Sequence, residues 1–561
     1  MSEDGAKDRS DAGADGAGPG DRSDSGAVGA DGAGPGDRSG GDGAVRWARR
    51  AVVGIAGVWV LVLAVVFAWR IGFPLELEWM EGGSLHQALR LQQGLAIYPE
   101  PSAEFVPFLY TPLYSAVLAA LGVVLPLGYT LGRVVSVAAA VMVGLGLWRL
   151  VGREGKPRAH QAAAVGMWCA GYVFTFRWYD VARADSLFLA LLLWGLVLLR
   201  DARGQPRRAV VAGLLVALAF WTKQTAAVFI LASGLCGLLV APREVWWYAG
   251  TIALIDGGGM LLGQRWTGGT LWTYLYELHQ THAFNYERFR SKTWGMFGHA
   301  APFLVVLAGW VLAWAVRNKG TWSKDQVLGM VYWGVLAAAG LLVSALGYST
   351  QWAEPNAFMP GVCFAAAALA VMLPVGRGEA FGLGLVAAQM LFALAVEPRY
   401  QPIQDRGLAG FKDSYAWQSP WRTLPRREVW TRARDKRDAI EAAGPLLALQ
   451  RPWWSVLAGG SGHVGSMGIN DVPKEQAREI QQSVARRVAA GEYAAVMLDG
   501  EAPLWLRPAL QRSYRIAESR RGSGRVLPLT GYMSAAGMVT PWDGPQLVYL
   551  RREDGAAGTG Q

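Results

Sequence analysis

The distribution of apolar and polar positions changes character along the chain. Residues 1–44 are mostly Gly, Asp, Ser and Ala, with "DRSDAGADGAGPG" followed by "DRSDSGAVGADGAGPG". That composition cannot bury a core and predicts a disordered tail. From Ala51 to Pro398, apolar windows of about 18–20 residues recur, as in a chain that crosses a membrane many times. Beyond residue 400 the apolar runs shorten and sit among polar residues. There "WSVLAGG" and "YAAVML" read as short buried strands, "PKEQAREIQQSVARRVAAG" as a helix closed by Gly491, and "PQLVYLRR" as a last strand. The expected fold class is an all-α polytopic membrane domain over 45–400, with about eleven spans, and a small α/β domain over 401–561.

Charges at the ends of the apolar runs orient them. Arg46, Arg49 and Arg50 hold the N-terminus inside, and "WRLVGREGKPRAH" marks a second inner loop. Two apolar runs lie between these clusters and the first span, where only one crossing fits. The segment 108–127 is therefore expected to lie along the outer surface as a helix, with 131–149 as the span. The remaining spans are 161–176, 187–200, 209–221, 225–242, 246–263, 302–316, 327–346, 357–374 and 381–397. This count puts the C-terminal part outside, in a cell (inner) membrane protein with a cytoplasmic N-terminus.

Composition agrees with that class. The 561 residues are 52% hydrophobic and 17% charged, against about 25% charged in soluble domains. The net charge of +10 divides into −6 for the tail and +16 for the rest. In a membrane protein this excess reads as loop charge that fixes orientation, and no nucleic-acid partner is expected. Cys169, Cys236 and Cys363 all fall in apolar runs, without metal or disulfide spacing. The N-terminus lacks a signal-peptide pattern, so the first span is read as an uncleaved anchor.

The chemistry gathers on one side. "PLELEWMEGG" brings Glu76, Glu78 and Glu81 directly after the first span, with His86 close behind. The next outer loops offer Arg177, Asp180, Arg183 and Asp185, then Lys223, then His279, His282 and Glu354. Ionisable groups at the membrane edge are functional candidates. Glu78 and Glu81 are three apart and share a helix face, where like charge raises a carboxyl's pKa and suits it to take a proton. Glu81 precedes Gly82 and Gly83, which leave room for a substrate, whereas Glu76 is expected to be dispensable. Arg183 and Lys223 suit a phosphate at headgroup depth. Asp185 reads equally as a helix cap. His279 and His282 read as an interfacial pair rather than a metal site.

These residues resemble the integral-membrane glycosyltransferases of the GT-C fold, in the bacterial branch related to protein O-mannosyltransferases and aminoarabinose transferases. The match lies in the acids Glu78 and Glu81, in "ALRLQQG" and "YTPLY" (with Tyr110), in Asp185 of "RADSLFLALLL", in Lys223 of "TKQ" and in Asn356 of "EPNAFMP". It covers about 51–400. Met80 stands before Glu81, where the family often has Asp-Glu or Asp alone. The resemblance implies a polyprenyl-phosphate-linked sugar donor, a hydroxyl acceptor of unspecified type, and inversion at the anomeric carbon. It implies Glu81 as general base with Glu78 as the alternative, Arg183 and Lys223 on the donor phosphate, and Asp185, Tyr110 and Asn356 in support. No metal site is assigned, and the need for a divalent metal or other cofactor stays open. A lipid-linked-sugar transporter or flippase is the first alternative, and a non-enzymatic envelope scaffold the second. The former predicts inverted repeats and mid-span ionisable residues, neither of which is evident here.

Overall fold

A computed structural model describes residues 36–351, 353–403, 410–417, 424–519, 532–533, 539–540 and 547–552. Of the expected tail, only the last nine residues, 36–44, fall within this set, and they are helical rather than disordered. Helix α1, Gly36–Arg70, begins within it and, at 35 residues, extends about 52 Å. Its Val52, Trp59 and Leu63 face the interior while Val58, Val60 and Leu61 face outward. Apolar residues on both faces are what a bundle helix in lipid requires.

After α1, two short helices follow instead of a span: α2, Glu81–Gln92, and α3, Leu113–Leu121. Nine residues rise about 14 Å, far less than a bilayer core. A short helix is what the parity of the basic loops required of this segment. The bundle continues with α4, Tyr129–Arg153, α5, Arg158–Phe174, α6, Ala184–Arg200, α7, Pro206–Thr222, and α8, Ala226–Val240. Next comes an uninterrupted helix over 245–266, with a π turn at Ala253–Gly257. Pro302–Arg317, Lys324–Tyr348, Met359–Met372 and Glu379–Ala395 complete it.

Each of the eleven apolar runs coincides with a helix, but most of these helices are short. Among the described residues, four are long and apolar enough to cross a membrane: Asp42–Arg70, Tyr129–Arg153, Lys324–Tyr348 and Pro355–Met372. Arg288–Ala300 with Pro302–Arg317, bent by 96°, would make a fifth. Helices of 17 residues, such as α5, α6 and α7, rise about 25 Å. Apolar side chains on α8 (Leu231, Leu235, Leu239) and on the 245–266 helix (Leu254, Leu261, Leu262) point outward. This is a membrane protein, and outward apolar side chains of this kind suit a lipid surrounding.

The C-terminal part departs from expectation first at the segment around Trp454. "WSVLAGG" does not form a strand. Pro452–Leu457 is a helix with its proline in the first turn, where the missing N–H costs nothing. Trp453 and Trp454 are both buried. Neighbours on a strand point to opposite faces, whereas neighbours on a helix can both pack inward. The helix Lys474–Ala489 is followed by Gly491 at φ +70°, whose amide donates to the Val488 carbonyl. Strands Leu446–Leu447, Ala495–Leu498, Leu547–Arg551 and Tyr514–Ser519 lie in that order in one sheet. The first pair is parallel and the others antiparallel. A hairpin, Val396–Ile403 against Gly410–Trp417, follows the last bundle helix and was not expected.

Candidate active site

The turn between α5 and α6 shapes the site. Phe176 (φ 54°) and Arg177 (φ 63°) both adopt the left-handed conformation, which side chains other than Gly disfavour by about 1–2 kcal/mol each. The turn is held at both ends. The Arg177 amide donates to the Tyr172 carbonyl, and Arg70 Nη2 donates to the Arg177 carbonyl at 3.4 Å. Arg70 also meets Asp180 at 3.0 Å, and the Tyr172 hydroxyl bridges them, accepting from Arg70 and donating to Asp180. Asp180, an outer-loop candidate, is thereby a buried anchor for the turn. Past it, the Arg183 amide donates to the Val181 carbonyl in a tight turn at Ala182, and Arg183 is extended at the start of α6.

Six of the seven residues given site roles by the family resemblance, Glu78, Tyr110, Arg183, Asp185, Lys223 and Asn356, are among those that line a cavity of about 440 Å³. Arg183 Nη1 donates to Glu78 Oε2 at 3.1 Å, and Nη2 donates to the Tyr110 hydroxyl at 2.9 Å. Lys223 Nζ donates to Asp185 Oδ1 at 2.5 Å, and Asn356 Nδ2 donates to the same oxygen at 3.0 Å. Arg183 Nε lies 4.0 Å from Asp185 Oδ2, which joins the two ion pairs into one chain of charges. The Tyr110 ring sits between the cations, 5.4 Å from the Arg183 guanidinium and 5.9 Å from Lys223 Nζ. Asp185 is in the first turn of α6 but makes no cap bond; its carboxylate is turned to Lys223 and Asn356 instead.

The two acids of "ELEWMEGG" have different fates. Glu78 is 2% exposed. Its Oε2 accepts from Arg183 and from the Met80 amide, whereas its buried Oε1 has no hydrogen-bond partner. Burial pushes its carboxyl up to about 7, with Arg183 opposing and Glu81 reinforcing the rise. Glu81 is fully buried and saturated. Oε1 accepts from Arg133 Nε at 2.9 Å and the Ala182 amide at 2.7 Å, and Oε2 from Arg133 Nη2 at 2.7 Å and the Leu77 amide at 2.6 Å. It does not line the cavity.

Further expectations for this segment are corrected by packing. Gly82 and Gly83 leave no room for a substrate. A Cβ on Gly82 would stand 2.8 Å from Trp453 Cβ, and one on Gly83 would stand 2.0 Å from Phe108 Cζ. Glu76 is not a solvated acid. It is buried, with Oε1 accepting from the Tyr129 hydroxyl at 2.5 Å and Oε2 from Trp454 Nε1 at 2.8 Å and Arg451 Nη1 at 3.4 Å. His86 packs edge-on against Phe105, away from the cavity, and burial lowers its pKa to about 3. His279 and His282 do line the cavity. His279 Nε2 donates to the Leu109 carbonyl at 2.7 Å, and His282 lies 3.4 Å from Asp471. Among the described residues, no group of three His, Cys, Asp or Glu side chains is placed to hold a metal ion.

Sequence reasoning missed Arg133, Arg451 and Trp454. Arg133 lies inside an apolar run, where a cation buried without a carboxylate would be prohibitive, and that oddity was the available signal. Arg451 and Trp454 sit some 375 positions beyond Glu76, with no local pattern linking them.

No family model matches the chain, and no curated protein sequence matches it. The fold nonetheless has a counterpart among solved structures: it is GT-C-like. The crystal structure of ArnT from Cupriavidus metallidurans in the apo state superposes with a TM-score of 0.51, covering 90% of this chain and 99% of that one at 11% identity. The structure of ArnT from the same organism bound to undecaprenyl phosphate gives 0.43, at 12% identity, over 80% and 85% of the two chains.

Proposed function

We propose that this chain is a membrane glycosyltransferase that moves a sugar from a polyprenyl-phosphate-linked donor to a hydroxyl acceptor on the outer face of a cell membrane. Glu78, not Glu81, is the general base. The observation that carries this reading is that Glu78, with one carboxylate oxygen lacking a hydrogen-bond partner, lines the same cavity as Arg183 and Lys223. A hydroxyl seated at Oε1 gives its proton to Glu78 as its oxygen bonds to the anomeric carbon. The bond from that carbon to the phosphate oxygen breaks in the same step, so the configuration inverts. The lipid phosphate leaves with the electron pair, and its charge is matched by Arg183 and Lys223. Both cations are held by carboxylates in the resting site, so neither is an uncompensated buried charge before the donor arrives.

Six outer-loop residues, separated by up to 278 positions from Glu78 to Asn356, meeting at one cavity favour this reading over a transporter or scaffold. The GT-C-like fold is consistent with it. The purified chain in lipid nanodiscs, given polyprenyl-phosphate sugars that differ in head sugar together with membrane glycolipid acceptors, should release polyprenyl phosphate with at least one donor. Absence of release and of sugar transfer across such a panel, with the protein folded, would sink the proposal.

A further inference from the structure

The buried pair Arg133–Glu81 does no chemistry on a substrate in the reading above, yet it is the most densely bonded group near the cavity. Arg133 is fully buried. Besides Glu81, its guanidinium donates to three backbone carbonyls: Phe73 and Leu75, each at 2.6 Å, and Arg70 at 3.5 Å. Glu81 in turn accepts from the amides of Leu77 and Ala182. The pair therefore binds two strips of irregular backbone at once. One is 70–77, which ends one residue before Glu78. The other ends at Ala182, one residue before Arg183.

From this we infer that Arg133 and Glu81 are positioning residues: together they set the separation and orientation of Glu78 and Arg183, the base and a phosphate cation of the proposed site. The inference rests on that reading for the roles of Glu78 and Arg183, but its geometry stands without it. Apart from Arg70, the last residue of α1, neither strip belongs to a helix or sheet ladder, so each needs its backbone groups satisfied by something else. A guanidinium has five N–H donors in a rigid fork, and a carboxylate has about four acceptor sites. Facing each other, they meet each other's polar demand and still have capacity for backbone from two segments. A lysine with three donors on a flexible stem could not hold three carbonyls and a bidentate carboxylate in one plane. The pair also explains why two acids three residues apart behave so differently. Glu81 is consumed by the frame, and the frame holds Glu78 with one oxygen bare.

The test uses the full chain in nanodiscs and reads amide hydrogen exchange over 73–83 and 178–186, together with affinity for farnesyl phosphate as a phosphate-lipid probe. Glu81→Gln should raise exchange in both segments and weaken farnesyl phosphate binding by about tenfold, because Arg183 loses its fixed place. Glu78→Gln should leave both segments protected and the affinity unchanged or tighter, since it frees Arg183 from its carboxylate. If Glu81→Gln does not fold, Glu81→Asp, with its charge kept but withdrawn by one methylene, should show the same pattern at smaller size. Arg133→Lys should raise exchange in the same two segments. Protected segments in Glu81→Gln or Glu81→Asp would overturn the inference, as would loosened segments with unchanged farnesyl phosphate affinity. If no sugar transfer is ever found but the exchange and affinity results hold, the proposed function falls and the positioning role remains.

Discussion

Glu78 meets Arg183 through one carboxylate oxygen, Oε2, at 3.1 Å, and keeps the other buried and bare. The salt bridge holds the carboxylate in place and leaves one of its oxygens without a hydrogen-bond partner. Loss of a general base costs about 10²–10⁴ in rate. Glu78→Gln should therefore insert and fold, still bind a phosphate lipid, and lose about that factor of turnover in a sugar-release assay. Retention of more than about a tenth of the rate would move the base elsewhere.

The pH dependence follows from the same residue. Its carboxyl is raised from the ordinary 4.5 to about 7 by burial. The active form is the carboxylate, so turnover should fall as pH drops through 7, to about a tenth of its plateau at pH 6. The sign for stability is the opposite. Between 4.5 and 7 the folded chain holds a proton on Glu78 that the unfolded chain has released, so this group's contribution to stability declines as pH rises through that window. Thermal midpoints of wild type and Glu78→Gln across pH 5–8 give the comparison. The wild type should lose stability relative to the variant as pH rises.

Lys223→Met removes the partner that sits 2.5 Å from Asp185. Asp185 keeps the Asn356 bond but loses a buried cation, so the protein should be less stable, and phosphate-lipid affinity should drop by about tenfold or more. Isothermal titration with farnesyl phosphate measures it, and an unchanged affinity would reduce Lys223 to a structural partner of Asp185.

Glu76→Gln tests the contact between the first loop and the C-terminal part. One oxygen of Glu76 receives both Trp454 and Arg451. The neutral amide weakens a charge-assisted pair buried on both sides, at a cost of about 1–3 kcal/mol. A lower thermal midpoint is expected, in place of the wild-type behaviour that the local sequence suggested.

Gly83→Ala should be worse folded for a different reason. The added carbon would lie 2.0 Å from the Phe108 ring, an overpacking that typically costs 1–3 kcal/mol. A variant as stable as wild type would show that Phe108 moves aside freely.

The membrane character was fully legible in the sequence, because apolar runs long enough for helices are a local property and lipid imposes it on every span. Six residues named from the sequence line one cavity, and Glu81, named with them, does not. Tyr110, Arg183, Asp185, Lys223 and Asn356 each stand beside the end of an apolar run, and helix packing brings these ends to one cavity. What local spacing could not decide is which oxygen of which acid is bare. Glu78 and Glu81 differ by three positions, and only the approach of Arg133 from α4 and of Ala182 from the α5–α6 turn saturates one and leaves the other. The same holds for Glu76, whose partners Arg451 and Trp454 come from the far end of the chain. It also holds for "WSVLAGG", where burial of two adjacent tryptophans favoured a helix over the strand suggested by a short apolar run. Local spacing marked which ionisable residues stand beside the apolar runs. The tertiary structure decided how their hydrogen bonds are shared, because a buried polar group must be satisfied by whatever the fold brings within about 3 Å.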